Sequence, residues 1–229
     1  MVARLRSYLA DEQEVENVLL AHGKQLAEFV FHQMMQHYVE TPTRYVGRIS
    51  RGFQLLQPVS FKIADLNAVR DYRGPVRPLG DTRKHVFGGF RRCVFPCQSF
   101  QSDEERRFAV LIDVHETAVI RWVKPGPKQF RIEYRRGESY EPDFVVETEA
   151  EKLIVEIKAR RDLQHEDVLA KSKAARTWIG YANRHAQSYG GKPWRYVLVP
   201  HDMMTESASL AGMAAAFSQP EIVEEELAT

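Results

Sequence analysis

Between Tyr140 and Lys158 the sequence holds an aspartate, a glutamate and a lysine at spacings that two adjacent strands would bring together. The stretch reads Tyr140-Glu-Pro-Asp143-Phe-Val-Val, a short charged turn, then Leu153-Ile-Val-Glu156-Ile-Lys158. Strand side chains alternate faces, so Glu156 and Lys158 share a face with Ile154, while Leu153, Val155 and Ile157 take the other. The intervening Thr-Glu-Ala-Glu-Lys segment is long enough to reverse the chain and short enough to keep the two strands adjacent. Such a hairpin carries an acidic pair with a cation beside it.

That combination suits hydrolysis of a phosphodiester. The reaction needs charge on the phosphate neutralised, water made nucleophilic and the leaving oxygen stabilised, and Mg²⁺ held by carboxylates can do all three. Mg²⁺ takes hard oxygen ligands and keeps several waters, so two or three carboxylates and a carbonyl suffice. Asp143 and Glu156 form the expected pair, with the backbone carbonyl of Ile157 as a further oxygen. Lys158 is placed to orient the attacking water or to stabilise the pentacovalent charge. The plain alternative is an exposed Glu/Lys face on a strand; Glu-x-Lys by itself has no diagnostic value.

Two more residues fall into phase with this site. Ser102-Asp-Glu-Glu105 has the form of a capping box, in which Glu105 returns to the Ser102 amide. Phe108, Ala109 and Ile112 follow Glu105 at three, four and seven positions, so it also lies on the apolar stripe of its helix and points towards the sheet. A carboxylate aimed at a core wants a metal or a partner. Glu105 is therefore expected as a third acid of the site, with capping as a compatible role. Lys171 aligns with Val168, Ala174, Ala175 and Trp178 on the helix after the hairpin. Its ammonium either reaches the catalytic edge or snorkels at the margin of the core. Trp178 itself is expected in the core.

From Arg121 to Arg136, six basic residues stand against the single acid Glu133, interleaved with Trp122, Phe130 and Tyr134. Alternation turns Phe130, Ile132 and Tyr134 inward and Arg131 and Arg135 outward, a face suited either to a DNA backbone or simply to solvent. Arg160 and Arg161, just past Lys158, are better placed for phosphate contact. Cys93 and Cys97 lack the further ligands that zinc requires. His32 and His37 are five apart rather than four, which does not support a zincin. No Gly-x4-Gly-Lys-Ser/Thr occurs, so the chain holds no P-loop.

The elements that must position these residues are legible as an α/β (α+β) pattern, a central mixed β-sheet flanked by helices. Residues 11–39 have helical periodicity through Val15, Val18, Leu19, Leu26, Phe29, Val30 and Met34. Tyr45–Ile49 and Phe53–Ile63 have strand character, with Pro58 arguing against a central strand. Residues 70–92 carry seven basic and two acidic residues around Pro75, Pro78 and Gly80. They are read as a basic connector and the domain boundary. A strand over Val86–Phe95 with an interruption at Gly88-Gly89, a helix over Ser102–Asp113 and a four-strand meander over Val119–Lys124, Phe130–Arg135, Asp143–Glu147 and Lys152–Lys158 follow. A helix over 165–187 closing at Gly190-Gly191, a buried strand over Trp194–Val199 and a helix over Met203–Phe217 complete the pattern. Residues 1–80 are thus an N-terminal helical/β connector, 81–218 the domain with the site, and 219–229 an acidic tail facing solvent or a basic partner.

The 229 residues carry 32 basic and 31 acidic side chains, so the molecule is no polycation that coats nucleic acid indiscriminately. There is no signal-peptide pattern and no apolar run near the ~20 residues of a membrane span, so a soluble cytoplasmic protein with no membrane partner is expected.

In its run of motifs the chain resembles the PD-(D/E)xK nuclease superfamily, and more narrowly the C-terminal endonuclease region of the restriction subunit of type III restriction-modification enzymes. The resemblance covers roughly residues 85–200. It is carried by Phe100-Gln-Ser102-Asp-Glu-Glu105-Arg-Arg-Phe-Ala109, Arg121-Trp-Val-Lys124, Tyr140-Glu-Pro-Asp143-Phe-Val-Val-Glu147, Val155-Glu156-Ile-Lys158 and Leu169-Ala-Lys171 through Trp178. It implies a restriction-endonuclease-like fold, catalytic Asp143, Glu156 and Lys158 with Glu105 as the helical acid, and Mg²⁺, or Mn²⁺ in its place, as cofactor. It further implies double-stranded DNA as substrate, with an ATP-dependent helicase region and a separate methyltransferase subunit as partners. The sequence departs from that plan in having no helicase motifs, as a C-terminal fragment or a free-standing relative would. Two rival readings are a non-catalytic DNA-binding or assembly module on the same fold, and a transposition or repair nuclease of the superfamily.

Overall fold

The computed structural model describes residues 12–36, 55–62, 68–205 and 207–223. The chain divides into two compact units, residues 1–45 and 46–229. The first contains one long helix, α1 (Glu12–Gln36), within the span expected from its periodicity. Val15 is buried and Val18, Leu19, Leu26 and Val30 are half-buried along one stripe, but Phe29 and Met34, expected on it, are exposed. No helix of the described residues is long and apolar enough to cross a membrane.

The second unit is built on a five-stranded mixed sheet. In chain order its strands are β4 (Val119–Val123), β7 (Phe144–Thr148), β8 (Lys152–Lys158), β9 (Trp194–Pro200) and β10 (Ser218–Gln219), in spatial order β10-β9-β8-β7-β4. Only β8 and β9 run parallel. Strand β8 is central, and its five residues Leu153–Ile157 are all buried, because helices cover both faces of the sheet. On one face Leu153, Val155 and Ile157 pack with Phe108, Ala109 and Ile112 of α2 (Asp103–Val110 and the π-helical turn Leu111–His115), and with Leu210, Met213 and Ala214 of α4 (Leu210–Phe217). On the other, Ile154 and Tyr196 pack with Ala175, Ile179 and Ala182 of α3 (Glu166–Gln187). The alternation expected along Leu153–Lys158 is therefore realised. Helix α3 ends where Gly190 takes a φ of 68° and the Gly191 amide closes on the Ala186 carbonyl at 2.8 Å. Trp178 lies at the edge of this second core, its ring 5.0 Å from that of Trp194.

Several expectations are corrected. The four-strand meander is broken: β5 (Ile132–Arg135) and β6 (Glu138–Tyr140) form a separate hairpin, and β4 pairs directly with β7. Pro125 and Pro127 end the first strand, and Ile132 and Tyr140 of the hairpin join the core beneath α3 instead. The strand expected over Val86–Phe95 breaks at Gly88-Gly89 as expected, β2 (Val86–Gly88) ending where Gly89 adopts a φ of 85°, but it does not resume before Phe95, where Cys93 makes only an isolated bridge to Trp122. Strand β2 belongs to a small sheet with β1 (Val69–Asp71) and β3 (Cys97–Gln98). Helix α4 begins only at Leu210, where Ser209 caps it by accepting from the Gly212 amide at 3.1 Å.

The stretch around residue 80 is not a boundary. Tyr72 and Val76 lie fully within the main core, and Arg106 donates to the Tyr72 carbonyl at 2.7 Å. The buried Asp113 accepts from Tyr72 Oη (2.5 Å), the amides of Arg91 (2.9 Å) and Arg92 (2.8 Å) and Trp122 Nε1 (2.7 Å). One carboxylate thus ties the supposed connector, α2 and β4 together. Past residue 218 the chain also packs, through β10 and a bond from the Ile222 amide to the Arg176 carbonyl at 3.1 Å. Residues 55–62 form no strand, the rest of the Tyr45–Ile63 expectation lies outside the described residues, and so does the tail beyond Val223.

Candidate active site

The β7–β8 hairpin closes at Glu147 opposite Lys152, and its register sets Phe144 across from Val155, so Asp143 enters the strand beside Glu156. Asp143 Oδ2 accepts from the Ile157 amide at 2.9 Å and from Lys158 Nζ at 3.2 Å. The same ammonium lies 3.0 Å from Glu156 Oε2. Asp143, Glu156 and Lys158 are therefore brought together as expected. Ile157 engages the site through its N–H, whereas the expected ligand is its carbonyl. Glu156 is 3% exposed, and its second oxygen, Oε1, is buried without a hydrogen-bond partner.

The electrostatics follow from this crowding. Burial, then the charge of Asp143, pushes the Glu156 carboxyl up to about 8, despite the pull of Lys158. Burial acts on Asp143 in the same direction, but Lys158, Lys124 and the Ile157 amide outweigh it and hold that carboxyl below its ordinary value. Burial opposes the charge on Lys158, yet Glu156 and Asp143 raise its pKa above the ordinary value. At neutral pH the metal-free cluster is thus an ionised Asp143, a cationic Lys158 and a largely protonated Glu156. A buried carboxyl with an unpartnered oxygen beside an ionised one fits a hard divalent cation, which would displace the proton.

Glu105 reaches the site's margin and stops there. Helix α2 starts at the Ser102 cap, whose Oγ accepts from the Glu105 amide at 3.2 Å, and Glu105 points inward with Phe108, Ala109 and Ile112, as its phase requires. Its Oε2 accepts from the Gln101 amide at 2.9 Å, one residue before the amide of the expected capping box, and lies 3.0 Å from Lys124 Nζ. Burial first, offset in part by Lys124, and then the charge of Asp143 raise its pKa. Among the described residues no three His, Cys, Asp or Glu side chains converge closely enough to hold a metal, so the expected three-acid set is not assembled. Lys124, read from the sequence only as part of the motif Arg121-Trp-Val-Lys124 and of the basic stretch, was given no place at the site. It follows β4, two positions after the buried Trp122, and period two turns both to the same face. That alternation was the available signal.

The other expected residues are placed as follows. Lys171 bonds Asp167 on its own helix at 2.5 Å and lies 4.9 Å from the Tyr134 ring centre, so its ammonium is directed to Asp167 and not to the carboxylate pair. Arg131 donates to Ser139 Oγ at 2.7 Å. Arg135 pairs with Glu166 and Asp167, each at 3.2 Å, Arg160 with Asp202 at 2.8 Å and Arg161 with Asp162 at 3.5 Å. Arg135 and Lys158 line one open cleft of about 660 Å³, together with Asp162, His165, Glu166 and Asp167. The Lys158 ammonium is therefore reached from solvent through a rim of mixed charge. In comparisons with known proteins, no family model and no curated sequence matches the chain.

Proposed function

We propose that the α/β unit is a restriction-endonuclease-like, Mg²⁺-dependent DNA endonuclease domain. The observation that carries this reading is the carboxylate pair of half-buried Asp143 and buried Glu156, spanned by Lys158, with Glu156 Oε1 left without a partner. Asp143 and Glu156 would hold Mg²⁺, or Mn²⁺ in its place, and the bound ion would supply phosphate neutralisation and a water of lowered pKa. Lys158, open to the cleft, donates to a non-bridging phosphate oxygen and orients the attacking water. Water gives up a proton to solvent as it adds to phosphorus, the P–O bond to the leaving sugar oxygen breaks, and that oxygen takes up a proton from solvent. Arg135, on the cleft rim, and Arg131, Arg160 and Arg161 contact the DNA backbone once it displaces their present surface partners; such contacts position DNA without reading its sequence. By its motif order the domain is the cleavage module of a type III restriction system, served by an ATP-dependent helicase region and a methyltransferase. Sequencing the genomic neighbours tests that assignment: an adjacent methyltransferase gene would support it over a transposition or repair nuclease.

A second reading is favoured by the way Lys158 pairs with both acids at once, as a structural ion cluster does: a non-catalytic DNA-binding or assembly module on this fold. Metal titration and plasmid cleavage separate the two. The nuclease reading expects Mn²⁺ binding that Asp143→Asn abolishes. It also expects Mg²⁺-dependent nicking by the protein with its partners, lowered at least about 10²-fold by Asp143→Asn or Lys158→Ala. Undiminished cutting by both variants sinks it.

A further inference from the structure

We propose that Lys124 is a positioning residue that occupies the place of a second cation between Glu105 and Asp143, so that the site takes a single divalent ion on Asp143 and Glu156. This inference rests on the metal-dependent reading above. Lys124 and Glu105 are nearly buried, with side chains 14% and 8% exposed and 3.0 Å between charged atoms. Removing both charges from water is costly, and only a well-bonded geometry offsets it. Here the geometry is fixed from both sides. The Gln101 amide holds the same Glu105 oxygen, and the Lys124 ammonium rests 5.6 Å from the centre of the Phe144 ring, next in chain to Asp143. Pro125, buried behind Lys124, restricts its backbone to extended conformations.

The charge count agrees. With the site loaded, Glu105, Asp143 and Glu156 bring three negative charges and Lys124 and Lys158 two positive ones. One divalent ion and the single negative charge of a phosphodiester bring this buried cluster to neutrality. A second ion would leave two uncompensated positive charges where desolvation makes them costly. It would also have to displace Lys124 to reach Glu105.

Mn²⁺ titration of the full chain by calorimetry, with bound metal counted after equilibrium dialysis, tests this. The wild type is expected to bind one ion. Lys124→Met is expected to bind a second, weaker one. Glu105→Gln/Lys124→Met removes the pair without leaving a lone charge and is expected to keep one ion with affinity within about threefold of wild type. Two ions in the wild type, no second ion in Lys124→Met, or a loss beyond tenfold in the double variant overturns the assignment. If Lys124→Met fails to fold, the wild-type count and the double variant decide. A wild type that binds no Mn²⁺ overturns the nuclease reading itself, a result distinct from all of these.

Discussion

The raised carboxyl of Glu156 has consequences for pH of definite sign. Its carboxyl is raised from 4.5 in the unfolded chain to about 8 in the fold, so between those values the native state holds a proton that the unfolded state has lost. Stability of the metal-free protein therefore falls as pH rises from about 5 to 8, by up to about 4 kcal/mol. Asp143 acts in the opposite sense: held low, it contributes stability above its unfolded value of 3.8 that is lost as pH falls through its folded value. Urea denaturation at pH 5.5 and 7.5 should show the first slope in the wild type and its absence in Glu156→Gln, with Mn²⁺ raising stability most at the higher pH. A wild type as stable at pH 7.5 as at 5.5 would contradict the raised carboxyl. The trio Asp143, Glu156 and Lys158 was legible because polar residues interrupt apolar strands with period two, which fixes the shared face. The partner of Glu105 was not: Lys124 lies 19 positions away, just past the end of β4, and only the packing of α2 against the sheet brings the two together. Lys171 sat on the right face by phase. A lysine stem has reach enough to choose among partners, and Asp167, one turn back, took it.

At the scale of elements, the structure hangs on the π-helical turn that follows α2. The turn presents Asp113 to four donors from three separate segments, none close to another in sequence. Asp113→Asn offers an amide with one acceptor oxygen and two donors in place of an acceptor-only group, setting N–H groups against N–H and O–H groups. The expected cost is about 3 kcal/mol, while Tyr72→Phe, which removes one donor of the four, costs about 1 kcal/mol. Urea midpoints of the two variants check this, and near-equal, small losses would show that the cluster is not the tie proposed. Helices α1 and α3 and strands β7, β8 and β9 were legible from periodicity, since each is long or uniformly apolar. The β5–β6 hairpin was misread as part of the main sheet because alternation reports that a strand has a buried face, not which layer buries it. Asp113 gave no signal, since one acid near a helix end is ordinary and its donors come from the segment that looked like a connector.

At the scale of the molecule, the placement of the Tyr72 segment decides where the chain can be cut. Composition marked residues 70–92 as a linker, because positive charge, proline and glycine usually mean exposure. The fold instead buries Tyr72, Val76 and Phe87 of that stretch and leaves most of its charges exposed. The core of the α/β unit draws on no described residue before Tyr72 in its main cluster. A chain beginning at residue 46 should therefore unfold cooperatively with a midpoint within a few degrees of the full chain. A chain beginning at residue 81 loses Tyr72 and Val76 from the core, one donor to Asp113 and the carbonyl that accepts from Arg106. Loss of a large buried aromatic alone costs about 3–5 kcal/mol, comparable with the whole stability of a domain. That shorter chain should show no cooperative thermal transition and no Mn²⁺ binding. If it melts like the chain from residue 46, the 70–80 stretch is a linker after all and the buried tie through Asp113 contributes little.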